Sequence, residues 1–252
     1  MRVILVANQK GGCAKTTTVV NLAAAFAERA LRVLVIDLDA QSNATQWLGV
    51  DTAGDGAFKL LTGSEPLETL FRSTRISNVS MIPASQELVN TEYALAGKIA
   101  VDSILRRRLA KLRPEQWDYV LIDTPPTLGV VTLNALVAAT DLLIPVTTHV
   151  MTLAGVARLM ERVQEVQELL NPTLNVIGFI ASRFDARTRH AKDVFDALKV
   201  RFGDQVLKTT IRENVRLAEA PSFSESVLTY DNKGSAAQDY RALAQELIER
   251  GL

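Results

Sequence analysis

Lys10-Gly11-Gly12-Cys13-Ala14-Lys15-Thr16-Thr17 stands ten residues into a chain of 252. The run before it, Arg2-Val3-Ile4-Leu5-Val6-Ala7, is short, apolar and rich in branched side chains, the pattern of a buried strand. The run after it, Val19 to Arg29, carries alanines and long side chains without a breaker, the pattern of a helix. A glycine-rich loop between strand and helix, closing on Lys-Thr, makes a phosphate cradle. Its backbone N–H groups and the helix N-terminus point at an anion. In such a cradle Lys15 reaches the outer phosphates and the Thr16 hydroxyl holds Mg²⁺. The common pattern G-x-x-x-x-G-K-[ST] is not met, because its glycine positions are Gln9 and Ala14. A second lysine, Lys10, directly precedes the glycine pair. Taken alone, the octet is equally readable as a turn into a solvated helix, so the rest of the chain has to decide.

Composition sets the frame. With 252 residues, 48% of them hydrophobic, one large core and a single α/β domain over residues 1–252 are expected. Net charge is zero, so any nucleic-acid binding has to come from a local patch. The one cysteine, Cys13, excludes an internal disulfide and a cysteine-only metal site, and fits a reducing cytoplasm. Met1-Arg2-Val3 runs straight into the first strand, so no secretory leader is expected. No apolar stretch approaches the roughly 20 residues of a membrane span.

Strand and helix patterns alternate outward from the octet. Further strands are expected at Arg32–Asp37, Val79–Pro83, Tyr119–Asp123, Leu142–Val146 and Val176–Ile180, with an edge strand at Val206-Leu207. Helical stretches lie around Ile99–Leu112, Leu128–Ala138 and Leu153–Leu170. Ser235-x-x-Gln238 reads as a capping box opening a last helix through Ile248. Near-continuous apolar strands between helices predict a doubly wound, mostly parallel sheet covered on both faces. Gly49–Ser64 reads as the loosest stretch, a mobile excursion.

Two acidic strand ends follow. Asp37-Leu38-Asp39-Ala40-Gln41 leaves the second strand with both carboxylates on one side of an extended backbone. At the carboxyl end of such a sheet they can orient a water or reach Mg²⁺; equally, one of them can cap the next turn. Asp123-Thr124-Pro125-Pro126 ends the fourth strand. Four apolar residues and an aspartate form a Walker-B-like element, with Asp123 beside Thr16 in the metal shell. The two prolines stiffen a segment suited to sensing a γ-phosphate.

Together these motifs resemble the ParA family of deviant-Walker-A ATPases, which also includes MinD and the nitrogenase iron protein. The matching residues are Lys10-Gly11-Gly12-x-x-Lys15-Thr16-Thr17, Asp37-Leu38-Asp39-x-Gln41 and Val120-Leu121-Ile122-Asp123-x-Pro125-Pro126. Phe184-Asp185-Ala186-Arg187-Thr188-Arg189 and Asn214-Val215-Arg216-Leu217-Ala218-Glu219-Ala220-Pro221-Ser222 are similar to ParA/Soj proteins in particular. The resemblance implies a P-loop ATPase using ATP and Mg²⁺ in DNA partitioning. An ATP-bound sandwich dimer would bind double-stranded DNA without sequence preference, on the nucleoid. A ParB-type partner would stimulate hydrolysis and release it. It further implies that Lys10 reaches the phosphates held by the other subunit, and that Lys15 and Thr16 hold phosphate and metal. Asp39 would position the attacking water, and Asp123 would support the metal. Gly11, Gly12, Cys13, Ala14 and Thr17 would line the phosphates, and Arg212 and Asn214 the base. Two departures stand out. Ala40 replaces a frequent proline, and Cys13-Ala14 replaces a common Val-Gly. Ala14 is at ease with a negative φ and strained with a positive one. Cys13 reads as a small apolar filler.

The last third is rich in cations: Arg183, Arg187, Arg189, Lys192, Arg201, Lys208, Arg212 and Arg216, with Lys233 and Arg241 beyond. Spread over separate elements, they could converge on one DNA-facing surface after dimerisation. The competing reading is a set of solvated charges balanced by Asp185, Asp193, Asp196 and Glu213. Arg187, Arg189 and above all Arg216 are the DNA candidates, Arg216 by the family match. Arg106-Arg107-Arg108 reads as a solvated helix face. His149 and His190 have no ligand spacing and receive no chemistry. A MinD-like membrane switch would need a basic amphipathic C-terminal helix, whereas Tyr240 to Arg250 is mixed in charge. An iron–sulphur reductase would need two thiolates per subunit. A ParA-like positioner of another cargo, such as a carboxysome or chemoreceptor array, shares every motif. A DNA-reading helix-turn-helix ahead of Arg2 is not expected.

Overall fold

The computed structural model describes residues 1–52, 56–113, 115–148 and 153–252. Strands and helices alternate as β1 (Arg2–Val6), α1 (Lys15–Ala27), β2 (Val33–Asp37), α2 (Asn43–Trp47), α3 (Gly56–Thr62), β3 (Arg72–Ser73), β4 (Val79–Ile82), α4 (Thr91–Leu95) and α5 (Ile104–Leu109). They continue as β5 (Tyr119–Asp123), α6 (Val130–Ala138), β6 (Asp141–Thr147), α7 (Leu153–Leu169), β7 (Asn175–Phe184), α8 (Arg189–Phe202), β8 (Val206–Arg212), α9 (Arg216–Glu219), α10 (Val227–Tyr230) and α11 (Ser235–Glu249).

The strands form one eight-stranded sheet in the order β3-β4-β2-β5-β1-β6-β7-β8. Every pairing is parallel except the short β3–β4 edge. β2, β5 and β6 are buried along their whole length, as a strand covered on both faces must be. One hydrophobic cluster packs α1 and α11 on the sheet through Val19, Leu22, Phe26, Tyr240, Leu243 and Leu247. The opposite cluster seats α5 to α8 through Leu105, Leu136, Val163 and Leu198. Phe26 stacks on Tyr119 at 4.3 Å, locking α1 over β5. β1 sits between β5 and β6, and the chain winds outward from it in both directions. A doubly wound sheet opens its ligand crevice at such a reversal, beyond the carboxyl ends of the strands.

Four expectations are corrected. Ser235 does not cap α11. Gly234 occupies the cap, and the Ser235 hydroxyl accepts instead from Asn214 Nδ2 at 3.0 Å, while Gln238 donates to the Lys233 carbonyl. Gly49–Ser64 is no bare excursion, because α3 lies within it with Leu60 and Leu61 in the core. The arginine run is a solvated face only in part, since Arg106 and Arg107 are exposed and Arg108 is not. Arg108 is buried and donates to the Glu65 carbonyl at 2.6 Å, and Arg106 reaches the Leu170 carbonyl. The edge strand at Val206 extends to Arg212, because its amide groups pair with the carboxyl half of β7. His190 is exposed at the start of α8, and His149 lies outside the described residues.

Candidate functional site

The loop from Lys10 to Ala14 joins β1 to α1, and α1 begins at Lys15 itself. Gly12 has a φ of +72°, which glycine adopts freely. Ala14 has a φ of +67° and a ψ of +29°, the left-handed region that its methyl group disfavours. The turn therefore holds Ala14 in the strained of its two possible conformations. Ser42 and Arg183 at the same carboxyl edge of the sheet also adopt positive φ, at 55° and 53°, as do Ala30, Asn78, Ala100 and Ser224 elsewhere in the chain. A strained backbone in a non-glycine residue persists where the surrounding fold over-determines it. Cys13 is buried and its thiol donates to the Lys10 carbonyl at 2.9 Å, bracing the loop from beneath. Burial pushes that thiol's pKa up, with Lys15 pulling the other way.

A cavity of about 530 Å³ opens over this loop. Gly11, Gly12, Cys13, Ala14, Lys15, Thr16 and Thr17 line it, with Asp39, Arg212 and Asn214. Lys10 is not part of that lining. Its backbone N–H is held by the Asn8 side chain at 3.2 Å. Residues that sequence reasoning did not place here are Gln41, Asn43, Ile211, Glu213, Leu217, Ala218 and Tyr240. Gln41, Leu217 and Ala218 fall inside the matched motifs but carried no assigned role, whereas Asn43, Ile211, Glu213 and Tyr240 belong to no motif. Only their position after β2 and β8, at the carboxyl edge, could have singled them out.

The two acidic strand ends play different parts. Asp37 and Asp123 are neighbours in register on β2 and β5, and both are fully buried. Asp123 accepts from Thr16 Oγ1 at 2.6 Å and from the Thr124 N–H at 3.1 Å. Burial pushes its carboxyl well above the ordinary range, and the charge of Asp37 adds to the effect. Asp37 turns away to the start of α2, accepting from Thr45 N–H at 2.9 Å, Thr45 Oγ1 at 2.7 Å and Asp39 N–H at 3.0 Å. It is therefore the capping aspartate of the pair. Burial raises its carboxyl too, against the pull of the Thr45 bonds. Asp39 is the one that lines the cavity, with its own carboxylate accepting from Gln41 N–H at 3.0 Å.

The donor set fits a nucleotide with a hard divalent cation. Lys15 is a buried ammonium at the helix start. Because the Thr16 hydroxyl donates to Asp123, its lone pairs remain for a metal. No cluster of three or more His, Cys, Asp or Glu exists among the described residues. That suits Mg²⁺, which takes one or two protein oxygens and otherwise waters and phosphates. At the far end, Arg212 is fixed by a bidentate pair with Asp239, the shortest contact being 2.6 Å, and Asn214 holds both Ser235 and the Arg216 N–H.

Within one chain the cations do not gather on one face. Arg187 and Arg189 leave the carboxyl end of β7 and Arg216 that of β8, whereas Arg201 and Lys208 lie at the opposite edge. Most are also paired: Arg183 with Glu213 at 3.0 Å, Arg187 with Asp185 at 2.9 Å, Arg189 with Asp193 at 3.9 Å and Arg216 with Glu219 at 2.8 Å. The balanced-charge reading therefore describes these residues within one chain. Arg187 and Arg189 remain 90% and 95% exposed, free to exchange partners. The apolar side of α11 is buried on α1 and β8. No helix among the described residues is long and apolar enough to cross one.

Comparison with known proteins agrees with this geometry. The family model described as an AAA domain matches residues 1–176. The chain is 43% identical over 250 residues to the chromosome-partitioning ATPase Soj of Thermus thermophilus, a match spanning 99% of this chain and 96% of that protein. It is 37% identical to the sporulation initiation inhibitor protein Soj of Bacillus subtilis, over 99% of both. A crystal structure of cobyrinic acid a,c-diamide synthase from Mycobacterium smegmatis, with bound ATP analog and magnesium, matches at a TM-score of 0.89 and 34% identity. It covers 99% of this chain and 94% of that one.

Proposed function

This chain belongs to the Soj/ParA family of chromosome-partitioning ATPases, and from that premise we propose a nucleotide-gated DNA-binding cycle for it. It is an ATPase that works with ATP and Mg²⁺ in partitioning. The observation that carries the reading is the Thr16–Asp123 contact of 2.6 Å beside buried Lys15, at the base of a cavity large enough for a nucleotide. In the cycle, Lys15 and the N–H groups of Gly11 to Thr17 hold the phosphates, and Thr16 with Asp123 holds the metal shell. Asp39 orients the attacking water, and Arg212 and Asn214 flank the base. Mg²⁺ supplies charge neutralisation on the phosphates.

Lys10 supports a dimer. It is absent from the lining of its own cavity and would serve the phosphates of a facing subunit, so that assembly depends on the γ-phosphate. The dimer presents Arg187, Arg189 and Arg216 twice to the DNA backbone, which needs cations and no base reading. A ParB-type partner then triggers hydrolysis and release, placing the protein on the nucleoid between triggers.

DNA co-sedimentation with ATP, ADP and no nucleotide tests the cycle, using two unrelated duplexes. Binding of both duplexes with ATP only is expected. Lys10→Ala should keep measurable ATP binding by calorimetry and lose the ATP dimer by light scattering, together with co-sedimentation. Equal DNA binding in all three nucleotide states, or an unchanged ATP dimer in Lys10→Ala, refutes it.

A further inference from the structure

Arg183 lines the cavity, yet the phosphate, metal and DNA assignments leave it without a task. It is the extra residue of a β-bulge. Ser182 pairs with Ile211 and Phe184 with Arg212, so two steps along β7 answer one step along β8. Its φ of +53° lies in the left-handed region, and its carbonyl accepts from Thr148 Oγ1 at 3.2 Å. A bulge of this kind re-aims a side chain. Here the guanidinium meets Glu213, another residue of the cavity wall, through two donors: Nε to Oε2 and Nη2 to Oε1, each at 3.0 Å. Both side chains stay about half exposed, at 51% and 41%. An exposed ion pair gains less than a left-handed backbone costs an L-residue, so the pair alone does not offset the strain at Arg183.

The two hydrogen bonds lie in the plane of the guanidinium and occupy one edge of it. Its flat faces are not used by them, and a guanidinium plane stacks on aromatic rings, nucleobases included. The position within the cavity fits that partner. Asp39 and Pro126 mark the side of β2 and β5, where Asp123 and Thr16 gather metal and phosphate. Arg183 and Glu213 stand on the other side with Ile211, Leu217 and Ala218, an apolar wall suited to a base and sugar. We propose that Arg183 is a nucleotide-binding residue whose guanidinium, held by Glu213, stacks on the base of the bound nucleotide. The proposal rests on the reading that puts the base beside Arg212 and Asn214, and adds a contact that no motif in the chain assigns.

Calorimetric titration of the full chain with ATP, ADP and inorganic tripolyphosphate, all with Mg²⁺, tests it on the parent, Arg183→Lys and Asn214→Ala. Lysine keeps the charge, the long stem and the strained backbone, and loses the planar fork. Arg183→Lys should weaken ATP and ADP alike by roughly 3- to 10-fold, the worth of one stacked guanidinium, and leave tripolyphosphate unchanged. Its nucleotide-free melting temperature should match the parent's, since the charge opposite Glu213 is still present. Undiminished ATP affinity in Arg183→Lys, with a loss in Asn214→Ala, overturns this proposal alone. Undiminished affinity in both variants overturns the reading that puts the base on this side. An equal loss toward tripolyphosphate makes Arg183 a phosphate contact and overturns the stacking role. A lower nucleotide-free melting temperature makes the pair a structural tie between β7 and β8, and overturns it as well.

Discussion

Ala14→Gly should make the nucleotide-free protein more stable, against the usual expectation for a glycine. The backbone at Ala14 has a φ of +67° and a ψ of +29°. An L-residue pays about 1–2 kcal/mol there through the clash of Cβ with the following carbonyl. Glycine removes the clash but adds freedom to the unfolded chain, a loss of about 0.4–1 kcal/mol. Ala14 precedes the first helical residue, so no helix propensity is lost. The net gain is on the order of 1 kcal/mol, or about 2–4 °C in melting temperature for a chain of this length. Scanning calorimetry without nucleotide measures it directly. Ala14→Val, with a branched Cβ, should shift the melting temperature the other way. The strain is geometric and belongs to the loop itself. If the loop keeps its shape on binding, ATP affinity should stay within about threefold of the parent. A glycine variant that melts at or below the parent temperature refutes the strain argument.

Two further outcomes follow from charge. Asp123→Asn should abolish Mg²⁺-dependent hydrolysis yet raise nucleotide-free stability at pH 8 by roughly 1–3 kcal/mol, because it removes one of two adjacent buried carboxylates. The sign follows from proton binding: the folded state holds the Asp123 proton up to about pH 8 while the unfolded chain releases it near 4, so parent stability falls as pH rises between those values. The gap between variant and parent should therefore widen from pH 5 to 8 in melting experiments; a constant gap sinks the assignment. Glu219→Gln frees Arg216 from its 2.8 Å partner and should raise ATP-dependent DNA affinity a few-fold, read by fluorescence anisotropy at fixed salt. Unchanged or weaker binding would show that Arg216 does not face DNA.

The fold was legible where chemistry repeats along the chain. Buried parallel strands are apolar throughout, so β1, β2, β5 and β6 announce themselves, and the glycine-rich loop fixes which helix follows β1. Two-residue, exposed β3 carries no such pattern and was missed, as was the polar carboxyl half of β8. Within the proposed site, groups assigned to phosphate or metal need fixed chemistry and therefore fixed residue types, which makes Lys15, Thr16, Asp39 and Asp123 readable. The wall at the base end needs only shape. Leu217, Ala218 and Tyr240 reach it through the packing of α9 and α11, which adjacent letters do not encode. Asp37 and Asp39 were indistinguishable by alternation alone. Thr45, eight residues on, separates them by drawing Asp37 into a cap. Arg108 was misread because charge type outweighed position, although its long stem can be buried while its head finds a carbonyl.

The sheet walls off two apolar compartments, one beneath α1 and α11 and one beneath α5 to α8, with no shared side chains. Substitutions well separated in space and without common partners add in their effects. Sequence drift in one compartment therefore leaves the other's tolerance untouched. The glycine-rich loop is seated on the first compartment, while the Pro126 segment leads into α6 of the second. A lineage can thus repack the ground under the Pro126 segment while the floor of the phosphate cradle stays as it was. Inheritance in this fold is split along the plane of the strands, so that the ground under the glycine-rich loop and the ground under the Pro126 segment can evolve on separate clocks.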